Sequence, residues 1–220
     1  MDVFWCDINK YRYDYELIRY IEGIAGIERR NYLFTDDKVR HLIGITLVEY
    51  AWCKKTLSKP QIIVEGYGKP YFKGLKVFHN IHFNISHSGN IVLCAVGNIE
   101  VGVDIEEIKG KQDGIVNRYF SKLEKEYCNL YNYGFYKIWT RKESYLKLES
   151  KSIIELEKTP TMVEDRGIVN KVGNYEFIEL KIHPDYEAVI CMENMNEFVS
   201  VKEIDNICIN TFMKKIKELI

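Results

Sequence analysis

Three carboxylates and a lysine have the types and spacing to do chemistry in this chain. Asp104 and Glu106 stand two positions apart in V-G-V-D-I-E (101–106). Glu143 and Lys147 stand four apart in W-T-R-K-E-S-Y-L-K (139–147), with Trp139 four before Glu143. H-F-N-I-S-H-S-G (82–89) adds Ser86, His87 and Ser88. Taken singly, each stretch has an ordinary reading: a solvated strand face, an exposed Glu–Lys helix pair, a polar loop. Taken jointly, two strand carboxylates and one helix carboxylate form a hard oxygen site. Mg²⁺ prefers such ligands and completes its shell with water and substrate phosphate. Lys142, Lys147 and His87 bring positive charge or donors for a phosphorylated ligand. A cation and an oriented lysine together suit cleavage of a pyrophosphate.

These residues need elements to hold them. Residues 99–106 alternate: Ile99, Val101, Val103 and Ile105 on one face, Glu100, Gly102, Asp104 and Glu106 on the other. That pattern predicts a strand with both acids on one face and Gly102 leaving space beside them. The apolar run I-V-L-C-A-V (91–96) predicts a buried strand, and Gly97-Asn98 predicts a hairpin turn between the two. D-D-K-V-R-H-L-I-G-I-T-L-V-E-Y-A-W-C-K-K-T-L predicts a helix with Val39, Leu42, Ile43, Thr46, Leu47 and Tyr50 on its inner face, with Thr35 or Asp36 to cap it. G-F-Y-K-I-W-T-R-K-E-S-Y-L-K-L-E predicts a second helix. E-F-I-E-L-K-I and Y-E-A-V-I-C-M flank His183-Pro184-Asp185 as a second hairpin, and T-F-M-K-K-I-K-E-L-I predicts a terminal amphipathic helix. The order helix, hairpin, helix, hairpin implies an α+β fold of two similar halves, residues 1–108 and 109–220.

Composition narrows the function. The 220 residues carry 31 basic and 32 acidic side chains, a net charge of −1, which argues against a nucleic-acid partner. The six cysteines are scattered, with no C-x-x-C pair to suggest zinc or a disulfide framework. No apolar run approaches the roughly 20 residues that span a bilayer, and the acidic N-terminus does not read as a signal peptide, so a cytoplasmic location is expected.

The motifs in this order resemble those of the phosphopantetheinyl transferases, specifically the surfactin-synthetase-activating (Sfp) type. The resemblance runs from Arg40 through Y-G-K-P (67–70), F-N-I-S-H-S (83–88), G-V-D-I-E (102–106) and R-Y-F-S (118–121) to F-Y-K-I-W-T-R-K-E-S-Y-L-K (135–147). It implies a pseudo-dimer of two α/β-type halves in one monomeric chain, with coenzyme A in the cleft between them. It implies a holo-[acyl-carrier-protein] synthase type of activity. The 4'-phosphopantetheine of coenzyme A passes to a serine of an apo acyl, peptidyl or aryl carrier protein, and 3',5'-ADP leaves. Asp104, Glu106 and Glu143 match the ligands of Mg²⁺, with Mn²⁺ as an alternative. Glu143, or a water on the metal, takes the serine proton, and Lys147 contacts the phosphate. Lys69 and Pro70 match the loop beside the adenine nucleotide. Ser86, His87 and Ser88 match a loop at the 3'-phosphate and pyrophosphate. Arg40 matches a basic residue at the nucleotide, and Lys142 adds to the phosphate field. Carrier docking is expected near residues 109–134, where Lys111, Arg118, Phe120, Lys122 and Leu123 lie.

Some positions depart from the family pattern. Arg29 or Arg30 would have to replace lysines before the first long helix, and His41 stands where Thr or Ser is usual. Ser150 and Ser152 replace the glycines of a G-K-G-L stretch. Two rival readings remain: a coenzyme A or carrier-binding module without catalysis, and a phosphodiesterase that uses water as nucleophile.

Overall fold

The longest helix among the described residues follows from its own sequence. Helix α1 (Thr35–Thr56) has Asp36 and Asp37 in its first turn and Lys54 and Lys55 in its last, matching the helix dipole at both ends. Its inner stripe, Val39, Leu42, Ile43, Thr46 and Leu47, is buried as the periodicity requires. A computed structural model describes residues 1–11, 16, 18–19, 35–56, 62–63, 69–72, 81–110, 112–165, 167–193, 198–205, 208–212 and 214. The expectations for Arg29, Arg30, Tyr67, Gly68 and Lys111, and most of the terminal helix, lie outside these residues.

Two four-stranded sheets stack face to face. The first runs β12 (Ser200–Glu203), β1 (Asp2–Asp7), β5 (Ile91–Gly97), β4 (His82–Ser88). The second runs β6 (Val101–Glu107), β11 (Tyr186–Glu193), β10 (Tyr175–Glu179), β9 (Lys171–Val172), antiparallel throughout. Two-stranded ribbons, β2–β3 (Ile62–Ile63, Tyr71–Phe72) and β7–β8 (Val163–Glu164, Gly167–Ile168), complete the described strands.

The strand period of two sorts side chains into three apolar layers. Phe4, Cys6, Val92, Cys94 and Val96 face α1. Val3, Ile91, Leu93 and Ala95 face the other way and meet Val101, Val103, Ile105, Ala188 and Ile190 of the second sheet. Phe177, Val189 and Cys191 turn outward onto Ile138 and Leu148 of helix α4 (Gly134–Leu148). The molecule is therefore layered helix, sheet, sheet, helix, a mixed α and β fold. Helices α2 (Asp113–Tyr119) and α3 (Lys122–Leu130) lie between β6 and α4 in the chain.

Two expectations are corrected. Gly97-Asn98 does not turn a hairpin: β5 and β6 belong to different sheets, and the chain crosses between layers there. The tight turn joins β4 to β5 instead, at Gly89-Asn90, with Gly89 at φ +52°. Ser86, His87 and Ser88, expected in a loop, end strand β4 (His82–Ser88). Its polar residues are pairing groups. Asn84 Oδ1 accepts the Val103 N–H at 2.8 Å, Ser88 Oγ accepts the Glu107 N–H at 3.1 Å, and Ser86 Oγ approaches the Ile105 N–H at 3.4 Å. The edges of the two sheets are thus stitched by side chains. The sheets also exchange strands across residue 108. β6 precedes it yet pairs with β11, and β12 follows it yet runs parallel to β1.

Candidate active site

Gly102 decides how close α4 comes to β6. A Cβ there would lie 1.9 Å from the Ser144 carbonyl oxygen and 2.5 Å from the Leu148 N, both backbone atoms of α4. Only glycine admits this approach, so the space beside the acids is filled by the helix backbone itself. The contact at Ser144 and Leu148 brings their neighbours, Glu143 and Lys147, over Asp104 and Glu106.

Lys147 and Asp104 then pair directly, and Glu106 and Glu143 lie within electrostatic reach of both. Lys147 Nζ lies 2.6 Å from Asp104 Oδ1 and 2.9 Å from Ser86 Oγ, and the Ser86 hydroxyl donates to Asp104 Oδ1 at 2.8 Å. Asp104 is 3% exposed, and its other oxygen, Oδ2, is buried with no hydrogen-bond partner among the described residues. Glu106 accepts from the Ser88 hydroxyl at 2.8 Å through Oε2 and from the Trp139 indole at 3.2 Å through Oε1. Burial, then the neighbouring Asp104, raises the Glu106 pKa against those hydrogen bonds and Lys147. Glu143 is pushed up to about 7, by burial first and by Asp104 and Glu106, with Lys147 opposing.

Three acids crowded against one lysine, with one buried oxygen unpartnered, form a site short of positive charge. Among the described residues, no three His, Cys, Asp or Glu side chains already stand in a metal-binding arrangement. Lys147 takes part of that place by sitting on Asp104. The donor set, carboxylate and hydroxyl oxygen with no thiolate, fits a hard divalent cation.

Around this centre the structure places the remaining site residues. Arg40 donates to the Gly89 carbonyl at 2.7 Å and pairs with Asp37 at 2.5 Å. His87 projects from the opposite face of β4 to Ser86. Partial loss of water, then Arg40 and Lys147, lowers its pKa, although the ring reaches solvent. Arg40 and Lys147 thus supply the positive charge near β4, and both favour the neutral form of the His87 ring. Lys69 is tied to the start of β6, donating to the Val101 carbonyl at 2.8 Å and Glu100 Oε2 at 2.9 Å. That is about 10 Å along the strand from Asp104, from the usual rise per residue. Lys69 and Pro70 line a pocket of about 160 Å³ with Phe72, Phe83, His82 and Ser150. Burial alone would raise Glu100 there, but Lys69 and His82 hold its carboxyl below the usual range.

Lys142 is not part of this group. Its ammonium turns to the far side of α4, pairing with Glu124 at 3.0 Å and donating to Thr159 Oγ1 at 2.9 Å and the Pro160 carbonyl at 3.2 Å. Successive helical residues leave the axis about 100° apart, so Lys142 and Glu143 cannot face the same site. Ser86 and Ser88 are also redefined: their hydroxyls brace Asp104 and Glu106. Trp139 was legible only as a neighbour of Glu143 one turn on; its indole hydrogen bond to Glu106 was not. Asn84 and Glu124 gave no sign in the sequence of what they hold.

Comparison with known proteins fits this geometry. Residues 100–191, from the foot of β6 to β11, match the model of the 4'-phosphopantetheinyl transferase superfamily. The 4'-phosphopantetheinyl transferase psf-1 of Bacillus pumilus is 37% identical over 186 residues, 77% of each chain. The transferase Sfp of Bacillus subtilis strain 168 is 36% identical over 182 residues, 74% of this chain and 77% of that one. A third, ffp of Bacillus subtilis, is 33% identical over 191 residues, 80% of this chain and 83% of its own. The chain belongs to the 4'-phosphopantetheinyl transferase superfamily. In this transferase the family match begins at Glu100 and so takes in all three acids and Lys147. No helix among its described residues is long and apolar enough to cross a membrane.

Proposed function

We propose that this chain moves 4'-phosphopantetheine from coenzyme A to the serine hydroxyl of an apo acyl, peptidyl or aryl carrier protein. The carrier's serine oxygen bonds to the β-phosphorus of the pyrophosphate, that phosphorus loses its bond to the bridging oxygen, and 3',5'-ADP leaves with the bond's electron pair. This is a holo-[acyl-carrier-protein] synthase activity. The observation that carries it is the meeting of Asp104, Glu106 and Glu143 with Lys147 across two elements 35 or more residues apart in sequence.

Asp104, Glu106 and Glu143 would hold Mg²⁺, or Mn²⁺ in its place. When bound, the ion neutralises charge on the pyrophosphate oxygens. Ser86 and Ser88 orient the first two carboxylates. Glu143, with its raised proton affinity, accepts the proton of the attacking serine. Lys147 exchanges Asp104 for a phosphate oxygen and stabilises the charge that grows on the leaving side. Arg40 and His87 face the phosphates, and Lys69 and Pro70 flank the nucleotide. Cations spread over several segments suit a ligand with phosphates in two places. The two sheets with their helices act as two halves of one monomeric unit, with the cleft between β4, β6 and α4. The carrier docks near residues 109–134. A cytoplasmic location follows from the substrates.

Intact-mass spectrometry of apo carrier domains incubated with the chain, coenzyme A and Mg²⁺ tests this. The expected result is a gain of one phosphopantetheine, abolished by EDTA and by Asp104→Ala. No gain with any carrier class, while coenzyme A still binds, would replace transfer with a binding role. Release of nucleotide from coenzyme A without a carrier would point to hydrolysis.

A further inference from the structure

We propose that the buried Lys142–Glu124 ion pair is a positioning device that sets the roll of α4, and through it the fit of Glu143 to a divalent cation. The inference rests on the reading of Asp104, Glu106 and Glu143 as a metal site. Lys142 and Glu143 are adjacent yet serve opposite sides of the helix. Both partners are out of solvent, Lys142 with 3% and Glu124 with 0% of the side chain exposed. The ammonium has three N–H groups and three acceptors, Glu124 Oε1, Thr159 Oγ1 and the Pro160 carbonyl, so none is spare. Glu124 is equally committed: Oε1 also accepts the Met162 N–H at 2.9 Å, and Oε2 accepts the Ser121 N–H at 2.8 Å in the capping box that starts α3.

One node therefore ties α4 to the start of α3 and to residues 159–162. On the other side of α4, Gly102 lets the Ser144 carbonyl bear directly on β6. A roll toward the sheet meets backbone; a roll away breaks the ammonium's bonds. Glu143 lies between these two stops. Burying an ion pair is a poor way to gain stability, and apolar replacement of both partners is often neutral or better. What the pair supplies here is direction, since its hydrogen bonds fix an angle that apolar contact leaves free.

The test is Mn²⁺ titration of the full chain, followed by the loss of the free ion's EPR signal. Wild type is compared with Lys142→Met and with the paired Glu124→Leu/Lys142→Met variant, which leaves no lone buried charge. Coenzyme A affinity in EDTA and thermal unfolding are measured alongside. The expected result is a Kd for Mn²⁺ about tenfold weaker or more in both variants, with coenzyme A affinity within about twofold of wild type, since the residues proposed to hold it are unchanged. The paired variant removes the lone buried charge but also the acceptor of the Met162 and Ser121 N–H groups, so it should stay less stable than wild type and should not regain metal affinity. A folded paired variant with wild-type Mn²⁺ affinity would overturn the proposal and leave the pair a matter of stability alone. If wild type binds Mn²⁺ through Asp104 but modifies no carrier, the transfer reading fails, and the same titration still judges the pair.

Discussion

Glu143 carries the clearest electrostatic cost in the molecule. Its carboxyl titrates near 7 because burial and two neighbouring acids disfavour its charge, and Lys147 only partly compensates. The folded chain therefore holds this proton more tightly than the unfolded chain does. Without metal, the contribution of this group to stability is greatest below the ordinary carboxylate range and falls as pH rises toward about 7. Denaturant unfolding in EDTA at pH 5 and pH 8 should show the metal-free wild type losing on the order of 2 kcal/mol more than Glu143→Gln. An equal loss in both would mean that the acids do not share one field. The same proton competes with a cation, so Mn²⁺ affinity should weaken as pH falls below about 7. Lys147 plays the complementary part. Its contact with Asp104 supplies positive charge to the crowded acids before any ligand does.

At the scale of elements, the site depends on the distance between α4 and β6. Gly102→Ala places a methyl group into the backbone of α4. It should cost at least the roughly 1–3 kcal/mol usual for overpacking, and carrier modification should fall far more than coenzyme A binding. Unchanged thermal stability and rate in that variant would show that the helix does not bear on the strand. The turn after α4 is a second test. Ser150 sits at φ +55°, a conformation glycine adopts without strain. Ser150→Gly should raise stability by about 0.5–1 kcal/mol in a thermal or denaturant melt. Ser152, at the other replaced glycine, accepts the Ile154 N–H and opens the short 3-10 turn at Ile153–Lys158. The alternation in β6 and the spacing of Glu143 and Lys147 were legible because each lies within one element with one period. β4 was not, because its apolar alternation stops after Phe83 and Ile85, which pack in the α1 core, and the other face, Asn84, Ser86 and Ser88, is hydrogen-bonded to β6 instead of packed in oil. The false hairpin at Gly97-Asn98 had correct turn chemistry, but pairing is decided by which layer each strand can bury against. β1 was missed for a related reason. D-V-F-W-C-D is an apolar run of four residues between acids, too short to stand out, and its strand state is fixed by β5 and β12 on either side.

At the scale of the whole molecule, the layers of helix, sheet, sheet and helix make one body whose two sheets depend on each other. The interlayer core of Val3, Leu93, Val103, Ile105 and Ile190 draws from both, and β1 needs β12 from the far end of the chain. Position 108 is therefore a poor place to cut the protein, although it divides the secondary structure evenly. The seam between β4 and β6 is the lever on this scale. Asn84→Ala would leave the buried Val103 N–H without its acceptor and should cost about 1–3 kcal/mol in denaturant unfolding. A smaller loss would mean that the seam is not a structural joint. That seam has one more effect. β6 ends its sheet, and the free rim of a sheet recruits any extended chain it meets, a route to aggregates. Here the N–H groups of Val103, Ile105 and Glu107 and the carbonyl of Val101 are already taken by Asn84, Ser86, Ser88 and Lys69. A strand from another molecule finds those rungs of the ladder occupied, so the side chains that arrange the acids also keep this rim from templating a fibre.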